Sequence, residues 1–218
     1  LRHDHAWGAA IHDEAGLSVM RVPEGIGEQV WQVATRDPRA LLLHARHATV
    51  GGLTRENVHP FYRDSAAFCH NGTIWGEIPE VIGSEPEGTT DSERYFLLLL
   101  NALKREDVPS AIAEAIGSLQ DCWSANAFLM TASEVYIISS FTKGPQTYPL
   151  TRSDGSVVDI KIPPDYYRLR IARPKGAIIV SSERVEDYDW EDVPNDTLIR
   201  IDLGTLKTKA YTLPIPQS

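Results

Sequence analysis

The sequence predicts an α+β fold in which two antiparallel sheets are covered by helices. Apolar runs come in neighbouring pairs separated by short polar turns, the pattern of hairpins. The two long helical stretches follow one another in mid-chain instead of alternating with strands, which disfavours a doubly wound parallel sheet. The last third is rich in strands.

Taken in order, apolar runs at 7–11 and 17–22 flank Asp13-Glu14-Ala15-Gly16 and read as a hairpin with a longer turn. Residues 29–34, apolar at 30, 31, 33 and 34, read as a short helix stopped by Asp37-Pro38. Residues 40–44 enter the core as a strand with Arg46 at its exit, and the polar stretch 51–64 reads as a loop. Ser65-Ala66-Ala67-Phe68-Cys69 is small or apolar between Arg63-Asp64 and Asn71-Gly72, so it reads as a buried strand. Residues 73–90, with Gly76, Pro79, Gly83, Pro86 and Gly88, are mostly loop. Thr90 as N-cap with Glu93 three residues on forms a capping box in front of a long helix reaching Leu103. A second helix runs from about Pro109 to Gln120. Residues 126–131 and 135–141 make a hairpin around Ala132-Ser133-Glu134. Residues 142–165 form a long loop or insertion with at most one small hairpin, and a loop of that length is often functional. Strands at 167–171, 177–181, 197–201 and 207–213 complete the chain.

Length and composition fit one domain, 1–218, with a substantial core. A net charge of -9 argues against a nucleic-acid or anionic-membrane surface. No apolar run approaches the ~18 residues that span a bilayer, and Leu97-Leu98-Leu99-Leu100 reads as buried helix. Two cysteines, Cys69 and Cys122, are too few for a disulfide framework and suit the reducing cytoplasm. There is no P-loop, dinucleotide fingerprint or metal-spaced His/Cys cluster, and His3 and His5 lack matching partners. Neither a cofactor nor a metal is expected.

Four polar motifs fall where strands or loops end. Asn71-Gly72 is either a hairpin turn or a pair of N–H donors for a developing oxyanion. Arg46, in His44-Ala45-Arg46-His47-Ala48-Thr49-Val50-Gly51, is either one half of a structural ion pair or a bidentate grip on a carboxylate, completed by the Thr49 hydroxyl. In Asn57-Val58-His59-Pro60-Phe61, His59 either caps a turn or supports the site. Asp91, in the first turn of the long helix, either complements the helix dipole or holds an ammonium group. Together they describe a site for an amino acid, with Arg46 on the carboxylate, Asp91 on the amino group, and Asn71 with Gly72 on the carbonyl under attack.

These same residues resemble the class II glutamine amidotransferases of the N-terminal-nucleophile hydrolase superfamily, the small stand-alone type above all. The likeness lies in His44-x-Arg46-x-Ala48-Thr49-x-Gly51, Asn57-x-His59-Pro60-Phe61, His70-Asn71-Gly72 and Thr90-Asp91-Ser92-Glu93. His3-Asp4-x-x-Trp7-Gly8 and Ser181-Ser182-Glu183 add to it. The resemblance implies a four-layer αββα sandwich and hydrolysis of the glutamine side-chain amide to glutamate and ammonia; the ammonia then serves a separate ammonia-accepting synthase subunit or none. It implies that Arg46, Thr49, His70 and Asp91 bind substrate and that Asn71 and Gly72 form the oxyanion hole. The family's nucleophile is an N-terminal cysteine whose own α-amino group serves as base. Leu1 is not cysteine, and both Cys69 and Cys122 read as core residues. Three explanations stand side by side. The N-terminal strand and nucleophile segment lie upstream of Leu1, or the protein binds glutamine or a γ-glutamyl compound without hydrolysis, or it cleaves a γ-glutamyl amide other than glutamine. His47 and Val50 differ from the residues of the synthase-type domains, which bears on fine specificity.

Overall fold

The computed structural model describes residues 6–46, 54–143, 146–151, 156–163 and 165–216. Strands β1 (Ala6–Asp13) and β2 (Gly16–Val22) form the first hairpin, and a turn of 3-10 helix at Glu28–Val30 runs into α1 (Trp31–Ala34). β3 (Ala40–Arg46) returns alongside β1, pairing Ala6 with Arg46 and Gly8 with His44. After a 3-10 turn at Arg55–Asn57 come β4 (Phe61–Arg63), β5 (Ala66–Asn71), α2 (Asp91–Ala102) and α3 (Val108–Gly117). β6 (Asn126–Met130) and β7 (Glu134–Ser139) follow, then β8 (Gln146–Thr151) with β9 (Val157–Ile162). The chain ends in β10 (Arg170–Ala172), β11 (Ile179–Ser181), β12 (Glu191–Asp192), β13 (Thr197–Asp202) and β14 (Thr208–Thr212).

A six-stranded antiparallel sheet, in the order β14-β13-β7-β6-β5-β4, is the centre of the molecule. Because side chains alternate across a strand, β5 serves two cores at once. Phe68 faces α2 and α3 in a core built from Tyr95, Phe96, Leu99, Ile112 and Ile116. Ala67 and Cys69 face the other way, toward Ala10 of β1 and Leu42 of β3 in the sheet β2-β1-β3. The far face of that second sheet is covered by Val30 and Val33 around α1, over Trp7, Ala9 and Ile11. Helices, sheet, sheet and a thin helical cover make the αββα sandwich.

Several local expectations need correction. The segment read as loop before Asp64 contains β4, because Asp64 and Ser65 both take positive φ (51° and 58°) and close a tight turn without a glycine. Asn71-Gly72 is not a hairpin turn; β5 runs through Asn71 and the chain leaves into 72–90. β8 extends the small hairpin of the long excursion beyond the Val157–Ile162 half that apolar content marks, and the short β12 carries no apolar signal. The capping box forms only by half: the Thr90 hydroxyl accepts from Glu93 N–H at 3.2 Å, while the Glu93 carboxylate accepts from Glu87 and Gly88 N–H instead of Thr90.

Candidate active site

Strand alternation decides which groups can meet. Ala67, Cys69 and Asn71 lie on the inter-sheet face of β5, and Leu42, His44 and Arg46 lie on the inter-sheet face of β3. The layer between the sheets therefore receives Asn71 from one side and Arg46 from the other. Arg46 is 5 % exposed; burial pulls its pKa down and the Asp91 carboxylate opposes this, so the two charges sense each other across the site.

The exit of β5 is held by Ser124. Its hydroxyl donates to the Asn71 carbonyl at 2.9 Å and accepts from Asn126 N–H at 3.1 Å, and its carbonyl accepts from His70 Nε2–H at 2.9 Å. A carbonyl can only accept, so His70 carries its proton on Nε2 and its Nδ1 accepts from the Ser92 hydroxyl at 2.9 Å. Burial pushes the His70 pKa down, against Asp91 and the Ser124 bond, which favour the cation. His70, placed with the substrate-binding residues by its motif, thus spends both ring nitrogens on protein partners and braces the strand end. Gly72 passes so close that a Cβ there would lie 1.9 Å from the Ser124 oxygen and 2.7 Å from His70 Nε2. That position admits only glycine. Among the described residues the Asn71 side-chain amide makes no hydrogen bond.

Each residue of Thr90-Asp91-Ser92-Glu93 holds a different part of the site. Thr90 caps α2, Asp91 Oδ2 accepts from Ile74 N–H at 2.9 Å, Ser92 fixes His70, and Glu93 gathers the loop at 87–88. Ile74 also bridges Cys122, so the segment leaving Gly72 is tied to both α2 and the approach to β6. Asn57 joins the other loop to this end of α2, its Oδ1 accepting from Thr89 N–H at 3.0 Å. His59 does not cap a turn. It is 5 % exposed, its ring lies 4.3 Å from His44 and 4.7 Å from Phe61, and burial holds its pKa well below the usual range. Thr49, His47, Val50 and Gly51, like His3 and His5, lie outside the described residues.

Both cysteines are core residues. Burial raises the Cys69 thiol pKa and takes that of Cys122 up to about 12, so neither is a thiolate at neutral pH. Among the described residues no group of His, Cys, Asp and Glu is placed to hold a metal, and no helix is long and apolar enough to cross a membrane. Ser92, Ser124 and Asn126 were missed by sequence reading. Ser92 sits inside a quoted motif and could have been weighed, whereas Ser124 is 53 residues from Asn71 and carries no local signal.

Comparison with known proteins bears on the family and the fold. The family model described as glutamine amidotransferases class-II matches residues 2–135. An uncharacterised protein of Methanocaldococcus jannaschii is 24% identical over 215 residues, covering 90% of this chain and 61% of its own length. A protein of Escherichia coli provisionally named glutamine amidotransferase YafJ is 28% identical over 206 residues, covering 90% of this chain and 75% of its own. Among solved structures, the glutamine phosphoribosylpyrophosphate amidotransferase of B. subtilis superimposes with a TM-score of 0.67 at 16% identity, over 98% of this chain and 44% of that one. A crystal structure of a predicted glutamine amidotransferase from Pseudomonas aeruginosa gives 0.60 at 18% identity, over 94% and 87%.

Proposed function

The chain belongs to the class II glutamine amidotransferases, and from that premise we propose that its site binds glutamine and hydrolyses the side-chain amide to glutamate and ammonia. The observation that carries the reading is the Ser124 clamp. It holds Asn71 and Gly72 at a strand exit while Asp91 of α2 accepts from Ile74 N–H three residues on, which fixes that carboxylate against the short segment that carries the amide donor. Arg46 takes the α-carboxylate with Thr49, Asp91 offers its remaining oxygen to the α-amino group, and the Asn71 and Gly72 N–H groups receive the oxyanion. Donors held rigid before reaction need no reorganisation as charge develops, which is what makes such a hole effective. His70 acts here as a brace, not as a substrate contact.

Because Cys69 and Cys122 are buried with raised pKa values, the attacking thiol of this reading is neither of them and comes from outside these 218 residues. Its α-amino group takes the thiol proton, the thiolate adds to the amide carbon, and the α-ammonium returns that proton to the leaving nitrogen as the adduct collapses, which expels ammonia and leaves a thioester that water cleaves. The ammonia acceptor is a separate synthase subunit, and the two buried free thiols suit a cytoplasmic setting. We read 1–218 as one domain, with 142–165 as an excursion from it.

A γ-glutamyl amide larger than glutamine is the second reading. Trp75, 49% exposed, follows Ile74 directly and stands edge-on to Trp123 at 5.4 Å, an apolar surface next to the segment that Asp91 holds. Ammonia release from glutamine and from N-alkylated γ-glutamyl amides by the full-length protein tests both. Release from glutamine supports the first reading, amine release from the larger amides alone supports the second, and no release from any of them overturns the hydrolase and leaves a binding module.

A further inference from the structure

The β5–β6 ladder ends on two asparagines that oppose each other. Asn71 pairs with Asn126 in register, as Cys69 pairs with Phe128 and Ala67 with Met130. Ala67, Cys69 and Met130 belong to the core between the sheets and Phe128 packs against it, so alternation puts both asparagine side chains on that same face. Directly opposed residues hold their Cβ atoms about 4.5–5.5 Å apart, close enough for one side chain to limit the other. The two amides differ in what they bind. Asn71 is partly buried, and among the described residues its amide makes no hydrogen bond. The Asn126 amide, 1 % exposed, is fixed at both ends: its Nδ2–H donates to the Tyr167 carbonyl, and its Oδ1 accepts from Ser140 N–H at 2.8 Å. A carbonyl can only accept and an N–H can only donate, so this amide cannot be turned over. Both partners are main-chain groups from other parts of the chain, Ser140 just after β7 and Tyr167 in a cluster with Ile162 of β9. The Asn126 main chain is tied in as well, its N–H reaching the Asn71 carbonyl through the Ser124 hydroxyl.

We propose that Asn126 is a positioning residue for the oxyanion hole: its doubly bonded amide is the fixed neighbour that keeps the Asn71 side chain aimed at the carbonyl under attack. This rests on the reading of Asn71 as an oxyanion donor, and Asn126 itself touches no reacting atom. A partly buried asparagine with an unbonded amide has several staggered χ1 wells and a broad χ2, and a donor that must be ordered during the reaction stabilises the oxyanion less than one ordered beforehand. A neighbour free to turn would pass its freedom on to Asn71. One pinned by two main-chain partners does not, because a satisfied buried network is rigid. Through the Tyr167 carbonyl, the segment that follows β9 takes part in holding the hole.

The test is a double-mutant cycle on glutamine hydrolysis by the full-length protein, comparing the parent, Asn126→Ala, Asn71→Ala and the two together, with thermal melting of each. Asn126→Ala lowers kcat about 10- to 100-fold, the range for a misplaced catalytic group. Its KM for glutamine stays within about threefold, because the groups assigned to ground-state binding are untouched. In the Asn71→Ala background the same change lowers kcat by less than about twofold, since the side chain it positions is gone. A merely structural asparagine would lower kcat by the same factor in both backgrounds, and that result overturns the proposal. Parental kcat in Asn126→Ala, or a higher KM at unchanged kcat, overturns it too. Asn126→Ser keeps a hydroxyl for one of the two main-chain partners; it gives an intermediate kcat and takes the place of Asn126→Ala in the cycle if the alanine variant does not fold. Parental kcat in Asn71→Ala overturns the oxyanion reading instead, and a parent that releases no ammonia from glutamine overturns the glutaminase, so each failure is seen apart from that of the proposal.

Discussion

The two flanks of the site are built on opposite terms. On the β5–α2 flank the Asn71 carbonyl, His70, Asp91, Ser92 and Glu93 each have a protein partner, drawn from the approach to β6, the helix cap and the loop before α2. On the β3 flank His59 keeps both ring nitrogens without one. A satisfied buried network is rigid, and rigidity is what an oxyanion hole requires. The β5–α2 flank is the frame of the proposed site, and the β3 flank with Arg46 is its grip.

Substitutions on the two flanks should fail in different ways. The largest effect is expected from Arg46→Ala, which removes the only charge assigned to the α-carboxylate; titration should show glutamine binding abolished, and unchanged affinity would separate Arg46 from the ligand. Asn71→Ala should leave ground-state affinity near the parent's and lower turnover by on the order of 10²–10³, as expected for a lost oxyanion donor. An equal loss in Kd would move Asn71 to the binding side of the comparison. Ser124→Ala strips partners from the Asn71 carbonyl and Asn126 N–H, so a stability loss of about 1–3 kcal/mol by chemical denaturation is expected. Its turnover should fall more than its affinity, because it loosens the hole and not the grip.

Acid should act on both flanks. Burial depresses the pKa of His59 and His70 below that of the unfolded chain, roughly 6.5. The unfolded state then binds protons that the folded state refuses, so stability is complete above that pH and is lost as the pH falls through and below it. Melting temperature should decline from about pH 6.5 downward, and in His59→Phe the decline should be shallower. The smallest effect is expected from Cys69→Ala. A buried, protonated thiol among Ala10, Leu42 and Met130 is packing, so turnover should stay within about twofold and only a modest loss of stability follow.

Much of this could be read from the sequence, for identifiable reasons. Asn71-Gly72, Arg46 and Asp91 stand at element ends with clear local signals, namely an apolar run that stops, an arginine at a strand exit and a capping threonine. The grouping of α2 with α3 between sets of strands gave the class of fold. What stayed hidden was tertiary. Ser124 binds Asn71 across 53 residues, and nothing local marks it. β4 escaped because Asp64 and Ser65 take left-handed backbone without a glycine to announce it. His70 looked like a substrate contact because it shares a motif with Asn71 and Gly72, yet strand alternation turns it to the helix side, where Ser92 and Tyr95 receive it. Glu93 matched a capping box by spacing, but the loop at 87–88 offered two N–H groups in place of the one at Thr90.

The division into grip and frame is tested most directly by titrating glutamine into the parent protein, Arg46→Ala and Asn71→Ala under one set of conditions. The structure leads us to expect binding in the parent, none in Arg46→Ala and near-parental affinity in Asn71→Ala. Equal affinities in all three, or loss of binding in Asn71→Ala with retention in Arg46→Ala, would contradict it.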